Sequence, residues 1–179
     1  MKWGKLAIGL VTLLAFSRAS AGVGADLPPR HASVSFSMVF DTPKQQTAAA
    51  FGPLAEAKWA PDFQPRFVYP ERAEEIAGAV FTTPDGALWL LHDFAPSAGL
   101  VQYVILDPGS LAVTLTIRAE ERGQGTSVTM TYDMVALDDA GAGHIAKMQR
   151  HSAAMAQHMQ AAVQAFLVTR GDDNPPRPH

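Results

Sequence analysis

The chain has 179 residues, of which 14 are basic, 17 are acidic and none is cysteine. The missing thiols exclude a disulfide framework and also lipid attachment at a signal-peptide cysteine. Lys2, Lys5 and Arg18 are three of the 14 cations. A chain without residues 1–21 therefore keeps 11 basic against 17 acidic groups, a formal −6. No basic stripe is left, which argues against nucleic acid or an anionic membrane surface as a partner.

Residues 1–21 read as a secretory signal. Lys2 and Lys5 give a basic start, residues 6–16 an apolar run, and Ala19-Ser20-Ala21 a small-residue cleavage site. The run falls short of the ~20 residues a membrane-spanning helix needs. No stable membrane insertion is expected after cleavage behind Ala21, and the product is periplasmic or secreted. The remaining length, about 158 residues, suits one domain. Residues 22–30 read as a flexible segment and residues 170–179 as a disordered tail with three prolines. Arg170-Gly171-Asp172 spells an integrin-type tripeptide, which at such a tail carries no functional reading. The domain lies between, over residues 31–169.

Residues 34–40 alternate apolar and polar, the period of a half-buried strand. Asp41-Thr42-Pro43 supplies a cap and a proline for a short helix running to about residue 51, where Gly52-Pro53 breaks it. A second short helical turn runs to Trp59. Residues 59–70 hold three prolines and read as an extended crossover with a brief strand at 66–69. A meander follows. Residues 78–83 and 87–94 flank the hairpin signal Asp85-Gly86, then come 100–107, 111–120 and 126–137, joined by short turns. Strands this regular make an antiparallel sheet with one apolar face.

Residues 139–169 read as one long helix capped by Asp138, with Gly171 as its stop. Ile145, Met148, Ser152, Met155, Met159, Ala162 and Phe166 follow the three-four spacing of an inward stripe. The fold class is α+β: a curved antiparallel sheet of about seven strands around one C-terminal helix, with two short helices after the first strand.

Several strings, in this order, resemble the Bet v 1-like superfamily (START/SRPBCC, polyketide cyclase-like). They are Glu56-x-x-Trp59-Ala60-Pro61 with Pro65 and Tyr69-Pro70, Gly78-x-Val80-Phe81-Thr82-Thr83, Trp89, Tyr103 with Asp107-Pro108, and Gly125-Thr126 leading to Thr131-Tyr132. The resemblance spans roughly residues 34–167. It implies a helix-grip fold and a hydrophobic or amphipathic small molecule as partner, with no cofactor.

His144, His151 and His158 recur every seven residues, a rise of ~10.5 Å, far beyond the ~2.0–2.1 Å of a zinc–nitrogen bond. They form a row at the edge of the apolar stripe, and no metal site is expected. Met148, Met155 and Met159 serve either as core or as adaptable ligand contacts. The alanines around them keep the helix slim, which leaves volume over a curved sheet. Trp59, Phe81, Trp89, Tyr103 and Tyr132 suit a core or a cavity wall equally, with Tyr132 pointing toward the long helix. Together with His151 and the three methionines these are the cavity candidates. In the strand at 87–94, alternation from Trp89 and Leu91 places Asp93 inside and His92 outside, so the two are not expected to pair. Glu56 reads as a structural tie between the short helices and the sheet. No catalytic residue is assigned. Three functions fit: a binding protein for an apolar or amphipathic ligand, a cyclase- or hydrolase-type enzyme using the same cavity, and a protein-interaction module.

Overall fold

The structure, a computed structural model, describes residues 29–172. The segment read as a secretory signal, most of residues 22–30 and the end of the tail lie outside the described residues. Strand β1 (His31–Phe40) leads into helices α1 (Lys44–Ala49) and α2 (Pro53–Trp59). Strands β2 (Arg66–Tyr69), β3 (Ala79–Thr82), β4 (Leu88–Ala95), β5 (Leu100–Asp107), β6 (Leu111–Arg122) and β7 (Gly125–Ala136) follow, and helix α3 (Asp139–Asp172) ends the described chain. All seven strands form one antiparallel sheet in the order β1-β7-β6-β5-β4-β3-β2.

Alternation decides which side of the sheet is buried. In β6, Leu111, Val113, Leu115, Ile117 and Ala119 are sealed; in β7, Val128, Met130, Tyr132 and Met134 are. Register then lines these residues up across strands. Val34, Tyr132, Leu115, Tyr103, Leu91 and Ala79 are successive partners, one continuous row over the concave face. That face must be covered, and α3 crosses it with contacts mainly to β1 and β7.

The start of α3 is built as its sequence suggests. The Asp138 carboxylate accepts from the Gly141 amide at 2.7 Å, satisfying a backbone donor that the first helical turn leaves free. Its far end differs. Gly171 keeps a helical conformation and α3 runs on to Asp172, because the left-handed turn that a glycine stop requires is not made. The inward stripe also drifts by one residue toward the C-terminus. Val163 and Leu167 are sealed, whereas Ala162 and Phe166 are half-buried, as a 3.6-residue turn dictates over seven turns of helix. Helix α1 lacks the side-chain cap that Asp41 was expected to give. Pro43 occupies the cap position with an extended ψ of 148°, and the Thr42 and Thr47 hydroxyls bond each other at 2.6 Å instead.

Between β4 and β5 the chain turns through a short 3₁₀ segment, Pro96–Ala98, into Gly99 at φ +77°. A side chain on Gly99 would meet the Ala119 carbonyl oxygen at 2.2 Å. Only glycine satisfies both the left-handed backbone and this close approach.

Candidate functional site

Helix α2 packs on the concave face next to α3 and carries two residues that turn inward, Glu56 and Trp59. Their spacing of three places both on one side of the helix. The loop before β3 fixes where the helix sits. Glu75 Oε1 accepts from the Leu54 amide at 2.8 Å and the Ala55 amide at 3.3 Å, so a carboxylate rests at the positive end of α2. The tie assigned by sequence to Glu56 is thus made by Glu75. Glu56 is free of that duty because it lies one turn further on and faces the interior.

Glu56 as a whole is half-buried, yet burial of its carboxyl pushes its pKa up from 4.5 to about 8. The same carboxyl acts on two phenols of the concave row. Tyr132 is raised by burial first and by Glu56 second. Tyr103 is raised by burial, then by Glu56, then by Glu75. Glu56 therefore lies within electrostatic reach of Tyr103 on β5 and Tyr132 on β7. At neutral pH all three groups carry their protons.

Their hydrogen bonding separates them. Tyr103 donates to the Phe51 carbonyl at 2.8 Å and pins the turn between α1 and α2 to the sheet. Trp59 braces the same turn from α2, its indole donating to the Ala50 carbonyl at 2.7 Å. Among the described residues, neither the Glu56 carboxyl nor the Tyr132 hydroxyl has a hydrogen-bond partner, and neither ranks among the polar atoms sealed without one. The sealed pair is the Trp89 indole N–H and the Ser110 hydroxyl.

Around these groups the wall is aromatic. Trp89 lies 5.4 Å from Phe63, 5.8 Å from Phe81 and 5.4 Å from Tyr103 between ring centres. Phe67 extends this cluster from β2, 5.5 Å from Phe81. Phe36 on β1 stacks on Tyr132 at 6.0 Å. Phe36, Phe63, Phe67 and Phe94 pack against the core while staying partly exposed, as do Met148 and Met155 on α3. These six side chains form a partly exposed apolar margin around the sealed core.

The structure brings Phe81, Trp89, Tyr103 and Tyr132 together on the concave face. It places Met148, Met155 and Met159 on the side of α3 that covers them. Trp59 stands apart, packed edge-on to Phe51 at 6.1 Å. It also lines an open groove of about 620 Å³ between α2 and the end of α3, with Lys58, Phe166 and Arg170. His151 lies outside both groups: it is exposed, as are His144 and His158. Among the described residues no group of three His, Cys, Asp or Glu side chains is placed to hold a metal ion, and no helix is long and apolar enough to cross a membrane.

The His92–Asp93 reading needs correction. The register of β4 on β5 slips between Leu91 and Asp93, a bulge at His92. One extra residue reverses the alternation beyond it, so Phe94 takes the inward place and pairs with Val101. Asp93 is left outside with His92, and the two bond at 3.0 Å, half-exposed. Strand alternation alone forbids that contact; the bulge permits it.

Sequence reasoning missed Glu56 as an interior acid and Phe36, Phe63 and Phe67 as wall. The signal for Glu56 was its three-residue spacing from Trp59. The proline-rich composition of residues 59–70 concealed the two phenylalanines there.

No family model matches the chain, and no curated protein matches it. Solved structures do. Ara h 8.0201, of the Bet v 1 family, superposes with a TM-score of 0.59 at 13% identity over 78% of this chain and 99% of its own. An uncharacterized protein from Rhizobium leguminosarum gives 0.55 at 18% identity over 78% and 95%. CalU16 from Micromonospora echinospora gives 0.55 at 14% identity, over 75% of this chain and 65% of its own. Likeness at such identities is one of backbone, and it agrees with the strand order, the two short helices and the long covering helix described above: the chain has the Bet v 1-like helix-grip fold.

Proposed function

We propose that this chain is an exported protein that holds an apolar or amphipathic small molecule between the concave face of its sheet and α3. One observation carries the reading. The inward wall is aromatic and only partly sealed at its margin, and two of its polar groups, Glu56 and Tyr132, have no hydrogen-bond partner among the described residues. An apolar cavity with a few convergent polar groups is the usual build of a small-molecule site. Proteins of this fold generally bind hydrophobic ligands, which supports the same reading. Export rests on the sequence of residues 1–21.

A second reading, an enzyme working in the same cavity, is favoured by one feature. Glu56 is a carboxylic acid that keeps its proton at neutral pH beside a phenol, which suits general acid catalysis. Asp93 and His92 are unsuited to that role, since the bulge turns both outward.

Native mass spectrometry of the protein purified gently from a periplasmic extract tests the proposal. A reproducible excess mass that disappears on denaturation is the expected result. A clean apo mass, together with no uptake of an apolar fluorescent probe, overturns it. In that case the cavity is filled, and a protein-interaction role takes its place.

A further inference from the structure

Ala162, Ala165, Phe166, Thr169 and Arg170 are spaced three and four apart, so they share one face of α3. That face lines the open groove of about 620 Å³ between α3 and α2, and Lys58 and Trp59 at the end of α2 line it from across. The two alanines leave room where longer side chains would close the gap. Trp59 is held by the Ala50 carbonyl and by its edge-on contact with Phe51, which makes its ring a fixed apolar surface. Phe166 supplies a second ring. The volume lies within the ~300–1,000 Å³ usual for small-molecule sites, and no residue of the concave row takes part.

Charge decides what such a groove can hold. Its two ionic side chains, Lys58 and Arg170, are both cations, and no acid is among the lining residues. Neither cation has an ion-pair partner among the described residues. The chain carries 17 acidic residues against 14 basic ones, so acids to neutralise the pair are not scarce. Thr169 gives its hydroxyl proton to the Ala165 carbonyl at 2.8 Å. The Arg170 guanidinium lies over the Phe166 ring, 5.4 Å from its centre. Stacked by its plane, it keeps its N–H edge for a planar carboxylate. Both cations also stand in the last turns of their helices, where each offsets a negative helix end. Such an end is equivalent to roughly half a charge. Two cations therefore outweigh two helix ends by about one positive charge, which matches a monoanion.

We infer that the α2–α3 groove is a second binding site, separate from the concave face, for an amphipathic monocarboxylate. The carboxylate pairs with Lys58 and Arg170, and the apolar body lies along Trp59, Phe166 and the two alanines. An uncharged molecule of the same shape gains nothing from the cations, and a small polyanion gains nothing from the rings.

Isothermal titration with 2-naphthoate and its neutral isostere 2-naphthamide tests this. At about 20 mM salt the carboxylate is expected to bind about fivefold or more tightly than the amide, the effect of two exposed ion pairs. The preference should shrink below about twofold at about 1 M salt. Lys58→Gln and Arg170→Gln should each cut it by about half, and the double variant should abolish it. Unchanged naphthamide affinity shows that these variants are folded. Ala165→Trp, at an exposed position of the groove wall, should remove the preference at an unaltered thermal midpoint. Equal binding of the two probes overturns the inference, as does failure of naphthoate to bind. A preference that survives the double substitution or the filling of the groove also overturns it, because the anion is then held elsewhere.

Discussion

Tyr103 and Tyr132 belong to the same cross-strand row, separated by Leu115, yet only Tyr103 has its hydroxyl engaged, at 2.8 Å from the Phe51 carbonyl. Both phenols are buried to within a few per cent, 0% and 3% exposed. Buried hydroxyls ordinarily find partners, so the contrast gives Tyr103 an architectural role and leaves the Tyr132 hydroxyl available to the proposed ligand. Removing each oxygen separates the roles. Tyr103→Phe leaves the Phe51 carbonyl unsatisfied and should cost roughly 1–3 kcal/mol in urea unfolding. Tyr132→Phe should change stability by less than about 1 kcal/mol, because no hydrogen bond is lost and the ring stacking on Phe36 stays.

Glu56 links stability to pH. Its pKa is raised from 4.5 to about 8. Between those values the folded chain holds a proton that the unfolded chain has released, so stability falls as pH rises. The contribution is fully present below about pH 4.5 and is lost as pH passes through 8. The loss is on the order of 2–4 kcal/mol, discounted for water within the cavity. Urea midpoints of the wild type and Glu56→Gln, measured from pH 5 to pH 9, check this. The variant should lack this fall and be the more stable of the two at the alkaline end.

Glu75 holds the start of α2 through two backbone amides. Glu75→Ala should destabilise by about 1 kcal/mol, the usual cost of losing a cap. Glu75→Gln keeps an oxygen acceptor and should lose only the charge–dipole part, about 0.3–1 kcal/mol. The fall in urea midpoint of each variant checks this.

Gly99 permits neither a side chain nor a right-handed backbone. Gly99→Ala places a methyl 2.2 Å from the Ala119 oxygen at φ +77°, which requires β6 to move or the turn to rebuild. A loss of about 2–4 kcal/mol is expected, visible as a lower thermal midpoint. Gly86→Ala, also at positive φ but with open space around it, should cost only about 1 kcal/mol.

The sheet was legible because every one of its long strands has one wet and one dry face, and a period of two survives in the composition. The bounds of β2 (Arg66–Tyr69) and β5 (Leu100–Asp107) coincide with the runs read from the sequence. The bulge at His92 was not legible: nothing in Leu91-His92-Asp93-Phe94 marks an extra residue, and the slip is decided by Phe94 finding the interior opposite Val101. The wall was half legible. Trp89, Phe81, Tyr103 and Tyr132 lie on strands whose period points them inward. Glu56 lies on a seven-residue helix, too short for its polar and apolar faces to declare themselves. Its role appears only once Glu75, nineteen residues away, is seen to cap that helix.

Helix α3 is sealed near its start, at Ala142 and Ile145, and again from Ala156 and Met159 through Val163 to Leu167, while Met148, Ser152 and Met155 between them stay half-buried. It resembles a beam resting on two piers. Ligands of different size would then be accommodated across the span by methionine side chains changing rotamer, with the piers unmoved. For the proposed binding function, tolerance of ligand shape would then be a property of two flexible thioethers, separable by mutation from the sealed ends of the helix.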